Sequence, residues 1–310
     1  MLVLVNPRSN GGAAAKRWPA AQSAMRLLRP DAQFAAPNSV AEANRAIAAG
    51  LAAGHDAIIA AGGDGTVNLA LNAIMDPATD RPRSPQVALG AIGLGSSNDF
   101  HKPGAPQRRL AGAPARVDVA GAAVVDVGKA TVQLPGEGQL VRYFLLNASM
   151  GLVADGNHAF NTGGGLIAWL KSRNVELAIA ACAVHALAAL RLRHVAVTSD
   201  GWGYDGPITN IGVLKSVYFA GGMRYDTAVV SDDGQFDINV WRAAGRLRIA
   251  RLVVGLYRGR FLGSPLAMSQ RGASVELRPQ QPCPLELDGE IVVVESARLD
   301  VVPAALRVCV

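Results

Sequence analysis

An α/β domain followed by an antiparallel β-sandwich with helices is the architecture this sequence predicts. Three observations predict it. Over the first part of the chain, short and wholly apolar runs alternate with helical stretches, the pattern of parallel strands covered on both faces. After about residue 115 the β-like runs crowd together and are joined by Asp-Gly turns, the pattern of an antiparallel sandwich. The length, 310 residues, matches two domains at about 150 residues each. The boundary is placed to give residues 1–120 and 121–310, with the last strand able to return to the first domain.

The elements follow in order. Leu2 to Val5 is a strand, Asn6 to Gly12 a turn, and an Ala-rich helix runs to about Leu28. Ser39 and Glu42 form a Ser-x-x-Glu capping box that opens a helix to about Ala53. Asp56 to Ala61 is a buried strand, Gly62 to Gly65 a turn, Thr66 to Met75 a helix, and Val87 to Ile92 another buried strand. In the second half Val124 to Val127, Thr131 to Leu134 and Val141 to Asn147 are β-like. A long helix is expected from about Leu166 to Arg193. Strands follow at His194 to Thr198, Ile211 to Ala220 and Phe236 to Trp241, then a helix near Leu247 to Tyr257 and β-like runs from Ala273 onward.

Composition excludes several classes. Half of the residues are hydrophobic and 17% are charged, enough apolar surface for a core and too much for a disordered chain. Cys182, Cys283 and Cys309 are odd in number and form no Cys-x-x-Cys pair. That argues against a disulfide scaffold or a zinc ribbon and for a reducing cytoplasm. The start, MLVLVNPRSNGG, has no basic n-region and does not read as a signal peptide. Val175 to Leu190 is broken by Glu176 and His185, short of the ~18 apolar residues of a membrane span. The basic residues behind the net charge of +6 are dispersed and lack interleaved aromatics, so no nucleic-acid partner is expected.

Three glycine-rich loops leave the carboxyl ends of the predicted parallel strands, the edge at which open α/β sheets bind ligands. They are Asn6-Pro7-Arg8-Ser9-Asn10-Gly11-Gly12, Gly62-Gly63-Asp64-Gly65-Thr66-Val67-Asn68 and Gly93-Leu94-Gly95-Ser96-Ser97-Asn98-Asp99-Phe100. Glycine permits positive φ and close backbone approach, so successive N–H groups can nest an anion. A helix opening after Gly65 adds its N-terminal dipole. Ser9, Thr66 and Ser96 donate from hydroxyls. Asp64 and Asp99 only accept, so beside a polyphosphate they require a cation, and Mg²⁺ is the obvious one. One such loop is most often just a tight turn; three on successive strands shift the weight to phosphate. No G-x-x-x-x-G-K-[ST] loop occurs. Gly93 to Asn98 approaches G-x-G-x-x-G but has Asn98 at the third glycine, while Asp118 stands at a distance suited to a ribose contact. A dinucleotide reading therefore stays open.

GGDGTVN at Gly62 to Asn68, followed by GSSNDF at Gly95 to Phe100, resembles the catalytic domain of diacylglycerol and sphingosine kinases. The nearest group is the soluble bacterial lipid kinases of the diacylglycerol kinase family. NPRSNGG, Asp126-Val127-Gly128, Asn147 to Gly151, DDGQFDINV at Asp232 to Val240 and LDGE at Leu287 to Glu290 extend the resemblance in order along nearly the whole chain. It implies an α/β nucleotide domain of the NAD-kinase and diacylglycerol-kinase type, a β-sandwich, and an active cleft between them.

The resemblance also implies ATP-dependent phosphorylation of a lipid hydroxyl, such as that of diacylglycerol. By matching motif, Asn6 to Asn10, Gly63 to Leu69 and Ser96 line ATP; Asp64 and Asp99, with Asp126, organise Mg²⁺. Asp233, with the backbone carbonyls of Val230 and Gln235, holds a structural Mg²⁺. Glu290 is the general base, with Asp288 beside it. Two departures stand out: Gly93-Leu94-Gly95-Ser96 replaces the family's Pro-x-Gly-Thr, and Asn10 intervenes where a glycine usually follows Ser9.

The motifs have plainer readings too. Asp288-Gly289 is also a tight hairpin turn, and Asp232-Asp233-Gly234 another. GGDGT is shared with NAD kinases, so a phosphotransferase acting on a soluble nucleoside is the first rival. A non-catalytic regulator that binds lipid or nucleotide is the second. The expected partner is a lipid at the inner membrane surface, met transiently by a cytoplasmic protein. The Arg191 to Arg193 and Arg246 to Arg260 segments could meet anionic headgroups, although an ordinary solvated helix face accounts for most of these arginines. A homodimer stays open, and the sequence does not name the lipid.

Overall fold

A computed structural model describes residues 1–103, 108–136, 138–162, 164, 169–170, 173 and 175–310. The chain divides into a unit of Met1–Val125 with Ala304–Val310 and a unit of Asp126–Pro303. The division falls inside the strand Ala123–Leu134, a single continuous strand where two separate ones, Val124 to Val127 and Thr131 to Leu134, are expected.

The N-terminal unit is built on a parallel sheet in the order Gln33–Ala35, Leu2–Val5, Ala57–Gly62, Ala88–Gly93. The last three are buried at every position, as a strand covered on both faces must be. The helices Ala13–Leu28, Val40–Ala52 and Asp64–Ile74 connect or follow these strands. The capping box forms: Glu42 N donates to Ser39 Oγ at 3.2 Å, while the Glu42 carboxylate accepts from Asn38 N at 2.8 Å. Two pieces finish the sheet on the Ala88–Gly93 strand. Ala113–Arg116 pairs antiparallel at Ala91 and Ile92, and Arg307 and Val308 pair parallel with Ala88 and Leu89.

The second unit is an antiparallel sandwich. Asn147–Gly151 lies between Trp202–Leu214 and Cys283–Leu287, and Trp202–Leu214 pairs onward with Phe236–Arg242 and then Ala267–Gly272. A second layer pairs Arg193–Ser199 with Ser274–Pro279, which pairs with Ser296–Val308. Trp202–Leu214 serves both layers, and its register shifts between Ile208 and Asn210, a bulge that lets one strand change direction. The layers close on Phe144, Val195, Val197, Ile211, Val213, Phe236, Leu285 and their neighbours.

The other face of the first layer, at Leu214 and Trp241, is covered by helix residues including Leu152, Ala186, Ile249 and Leu256. Two expectations are corrected here. Leu152–Thr162 is a helix, and the strand expected from Ile211 begins at Trp202. Of the long helix expected from about Leu166, Val175–Ala188 is helical, while residues 166–168, 171–172 and 174 lie outside the described residues. All three cysteines are free and buried.

Candidate active site

In the N-terminal unit the chain leaves Leu2–Val5 toward Gln33–Ala35 on one side and leaves Ala57–Gly62 toward Ala88–Gly93 on the other. Such a reversal opens a crevice at the carboxyl ends of the two central strands. All three glycine-rich loops meet there. Asn6 Nδ2 donates to Thr66 Oγ1 at 3.1 Å, and Gly63 N donates to Ser9 Oγ at 3.3 Å. Gly63 and Gly95 are in backbone contact: a Cβ on Gly95 would stand 2.4 Å from Gly63 Cα. No side chain fits between the second and third loops, so glycine is required at the crossing.

Each loop is shaped by local bonds. The Asn6 carboxamide accepts from Arg8 N at 3.1 Å, an Asx turn. Asn10, Gly11 and Gly12 follow with φ of 53°, 60° and 90°. Asn98, at φ 48°, folds its carboxamide back onto Gly95, accepting from its N–H and donating to its carbonyl, each at 3.0 Å. Asp64 Oδ1 accepts from Phe100 N at 3.0 Å, which ties the second loop to the third directly beside Asp99. Asp99 is buried and bonded to Lys102. Thr66 and Asn68 are buried, Pro7 and Gly65 half-buried, and Arg8 and Ser96 exposed.

The carboxylates Asp64 and Asp99, beside glycine-rich backbone, are hard oxygen donors. They suit a Mg²⁺ that completes its shell with phosphate and water. Among the described residues no group of three or more His, Cys, Asp or Glu side chains converges as a self-sufficient metal cage.

Behind this edge, His101 is buried at 3% exposure. Burial, aided by the charge of Arg116, holds its pKa at about 4, so the ring is neutral at pH 7. Neither Lys102 nor His101 was marked by the loop motifs, although both directly follow Asn98-Asp99-Phe100.

In the second unit the expected acidic residues sort differently. Asp288 and Gly289 have φ of 48° and 92° and turn the hairpin between Cys283–Leu287 and Glu290–Val294. Two successive positive φ values are what such a two-residue turn needs. The Asp288 carboxylate is buried and accepts from three backbone N–H groups: Leu145 and Leu146 at 2.8 Å and Asn147 at 3.1 Å. The carboxylate expected beside the general base thus ties the hairpin to the segment that leads into the strand Asn147–Gly151.

Glu290, two residues on, is exposed. The protein packed round its carboxyl nevertheless raises its pKa, with the charge of Arg142 opposing. A carboxylate poised above its ordinary range is a better proton acceptor.

Asp126 and the trio Val230, Asp233 and Gln235 come together. Asp126 Oδ2 accepts from Gly234 N at 2.8 Å, and Asp126 N donates to Ser231 O at 2.8 Å. At the centre of the group, however, stands the ammonium of Lys215. It donates to Asp126 Oδ2 at 2.9 Å and to the carbonyls of Val230 and Gln235 at 3.0 Å. The residue set expected around a structural Mg²⁺ is engaged by a lysine that the sequence reading did not mark. Asp126 thus lies in the second unit, with its carboxylate held there, whereas Asp64 and Asp99 lie in the first.

Each part of the chain matches a known family. Residues 1–130 match the model of the diacylglycerol kinase catalytic domain, and residues 151–310 match that of the YegS C-terminal NAD kinase beta sandwich-like domain. A Pseudomonas putida protein named "Probable lipid kinase YegS-like" is 27% identical over 86% of this chain and 81% of its own. A diacylglycerol kinase of Bacillus subtilis is 26% identical over 76% of this chain and 71% of its own, and one of Mycobacterium tuberculosis is 24% identical over 98% and 93%. Among solved structures, a diacylglycerol kinase from Bacillus anthracis str. Sterne aligns with a TM-score of 0.67 at 19% identity, covering 99% of this chain and 95% of its own. A second structure from that organism reaches 0.74 at 21%, covering 99% and 96%; both show a shared fold.

Proposed function

Because the chain belongs to the diacylglycerol kinase family of lipid kinases, we propose that it transfers the γ-phosphate of ATP, with Mg²⁺, to the hydroxyl of a lipid such as diacylglycerol. The observation that carries this reading is the meeting of three glycine-rich loops at one sheet edge, with Asp64 bonded to the residue beside Asp99. Phosphoryl transfer asks little covalent chemistry of a protein. It asks for in-line positioning, neutralised charge and a base for the hydroxyl proton. The loops around Ser9, Gly63 and Gly95 bind and orient the phosphates through backbone N–H and hydroxyl donors. Asp64 and Asp99 would hold Mg²⁺, which would supply neutralisation of the phosphate charge. Glu290 takes the proton of the acceptor hydroxyl as the new P–O bond forms and the bond to ADP breaks.

The acceptor is met at an anionic membrane surface. No helix among the described residues is long and apolar enough to cross a membrane. The helix Arg246–Tyr257 and the turn after it supply a suitable face. Arg248, Arg251 and Arg260 line one recess, flanked by exposed apolar side chains, Leu247 at 79% and Leu262 at 49%. Basic residues near an anionic leaflet contribute about 1 kcal/mol each, and exposed Leu adds shallow insertion.

One experiment tests both statements. Transfer of labelled phosphate from ATP is measured to diacylglycerol, phosphatidylglycerol, a sphingoid base and NAD, with the lipids in anionic or in zwitterionic vesicles. Transfer to a lipid, faster from anionic vesicles, is expected. Transfer to NAD alone identifies the soluble-nucleoside reading, no transfer identifies a binding protein, and equal rates from both vesicles remove the docking face.

A further inference from the structure

Lys215 is the residue that the functional reading does not use. It follows directly on the strand Trp202–Leu214, and its side chain is 1% exposed. Lysine is almost never fully buried unless it is paired. An ammonium has three N–H donors and no acceptor, and here three oxygens receive them: Asp126 Oδ2, Val230 O and Gln235 O, at 2.9, 3.0 and 3.0 Å. A fourth oxygen, Asp233 Oδ1, stands 3.5 Å away. Two carboxylates and two main-chain carbonyls around one point form the donor set of a hard cation. The separations are those of N–H···O bonds, well beyond the ~2.1 Å of a Mg–O bond.

A second side-chain cation stands on the same carboxylates. Asp233 also pairs with Arg271, whose Nε lies 3.8 Å from Asp237 Oδ2. The three carboxylates Asp126, Asp233 and Asp237 therefore already face two side-chain cations. The residues that the family resemblance assigns to a structural Mg²⁺ do not fit a metal ion while Lys215 is in place.

We infer that the Lys215 ammonium is the resident cation of this cluster and does the work of a structural divalent metal. It anchors the 230–235 segment to Asp126 and to the end of the Trp202–Leu214 strand. Removing its charge returns the cluster to a metal-binding one: two carboxylates and two carbonyls, with the space of the lysine stem open to water.

The test uses the nucleotide-free full chain. Melting temperature is measured in EDTA and in millimolar MgCl₂, and Mn²⁺ binding is followed by EPR, for wild type, Asp233→Asn and Lys215→Ala. Wild type is expected to melt at the same temperature in both buffers, and its Mn²⁺ binding is expected to be unchanged by Asp233→Asn. Lys215→Ala is expected to melt lower in EDTA, to recover in MgCl₂, and to bind Mn²⁺ at least about tenfold more tightly than wild type, since a ligand that binds only the folded state raises its stability.

A wild-type Mn²⁺ site that Asp233→Asn abolishes overturns the inference. So does a folded Lys215→Ala that gains neither Mn²⁺ affinity nor protection by Mg²⁺. If Lys215→Ala does not fold, the wild-type arm decides alone, because a metal held at Asp64 and Asp99 is indifferent to Asp233.

Discussion

Asp64 and Asp288 each precede a glycine and each follow a strand, yet the two units use them in opposite ways. In the parallel unit Asp64 opens the helix Asp64–Ile74 and reaches across to a neighbouring loop through Phe100 N. In the antiparallel unit Asp288 sits inside the turn itself, and its carboxylate accepts from three successive N–H groups, Leu145 and Leu146 in the connection before the strand Asn147–Gly151 and Asn147 at its start. A parallel sheet carries its connections to one edge, where loops from different strands can meet around a ligand. An antiparallel sheet closes its connections locally, so a turn carboxylate is consumed in holding strands together. The same dipeptide thus links two loops at a sheet edge in one architecture and ties a turn to its own layer in the other. Glu290, just past that turn, is left facing solvent.

The contrast can be broken most directly at Glu290. Glu290→Gln is expected to lower turnover by about 10²–10⁴-fold, the usual worth of a general base, while nucleotide affinity by calorimetry stays at the wild-type value. Turnover within a few-fold of wild type would take the chemistry away from the second unit. In the wild type, the raised Glu290 pKa places the acid limb of the rate above the ordinary value of 4.5, and that limb should be absent from residual activity of the variant.

Next in size is an acid effect in the first unit. His101 takes up a proton at pH 6.5 when unfolded and only at about 4 when folded. Its neutral burial therefore supports the fold fully above pH 6.5, and the contribution fades as pH falls toward 4. The loss approaches about 3 kcal/mol. Urea unfolding of wild type and His101→Gln between pH 7 and 4 checks it; parallel curves would remove the histidine from the account.

Asp288→Asn is expected to cost about 2 kcal/mol, because an amide NH₂ would face an N–H that now meets a carboxylate oxygen. Thermal melts report it, and an unchanged melting temperature would end the tie assigned to that side chain. The smallest effect is expected from Asp64→Ala: about tenfold weaker Mg-nucleotide binding, or ~1.4 kcal/mol, with little change in stability. A large fall in stability without a change in affinity would make Asp64 a tie like Asp288 and erase the contrast between the units.

The parallel unit was legible because its signals are local. Fully apolar strands, a capping box and glycine loops each occupy a few consecutive residues, and the loops meet simply because the strands are adjacent. The antiparallel unit was read less well. The helix Leu152–Thr162 was missed because Gly156 and the polar Asp155, Asn157, His158, Asn161 and Thr162 blur its apolar stripe and lower its propensity. The start of Trp202–Leu214 was missed because Gly203, Asp205, Gly206 and Pro207 are poor strand residues. Lys215 gave no signal at all. A lone lysine after an apolar strand reads as a solvated side chain, and its partners Asp126, Val230 and Gln235 are brought to it only by the folded sandwich.

The return of the chain to its first sheet has a consequence for how the protein is made. Arg307 and Val308 extend the Ala88–Gly93 strand, Cys309 N donates to Leu89 O at 2.9 Å, and Asp118 N donates to Val310 O at 3.2 Å. On the ribosome, residues 1–125 emerge before these partners exist, and the whole of the second unit must be synthesised first. Until then the first unit exposes an unfinished edge beside Leu89. Because domains generally fold in order of emergence, this unit is first to begin folding and last to finish. Loss of the final seven residues, 304–310, would therefore damage the opposite end of the chain rather than its neighbour in sequence.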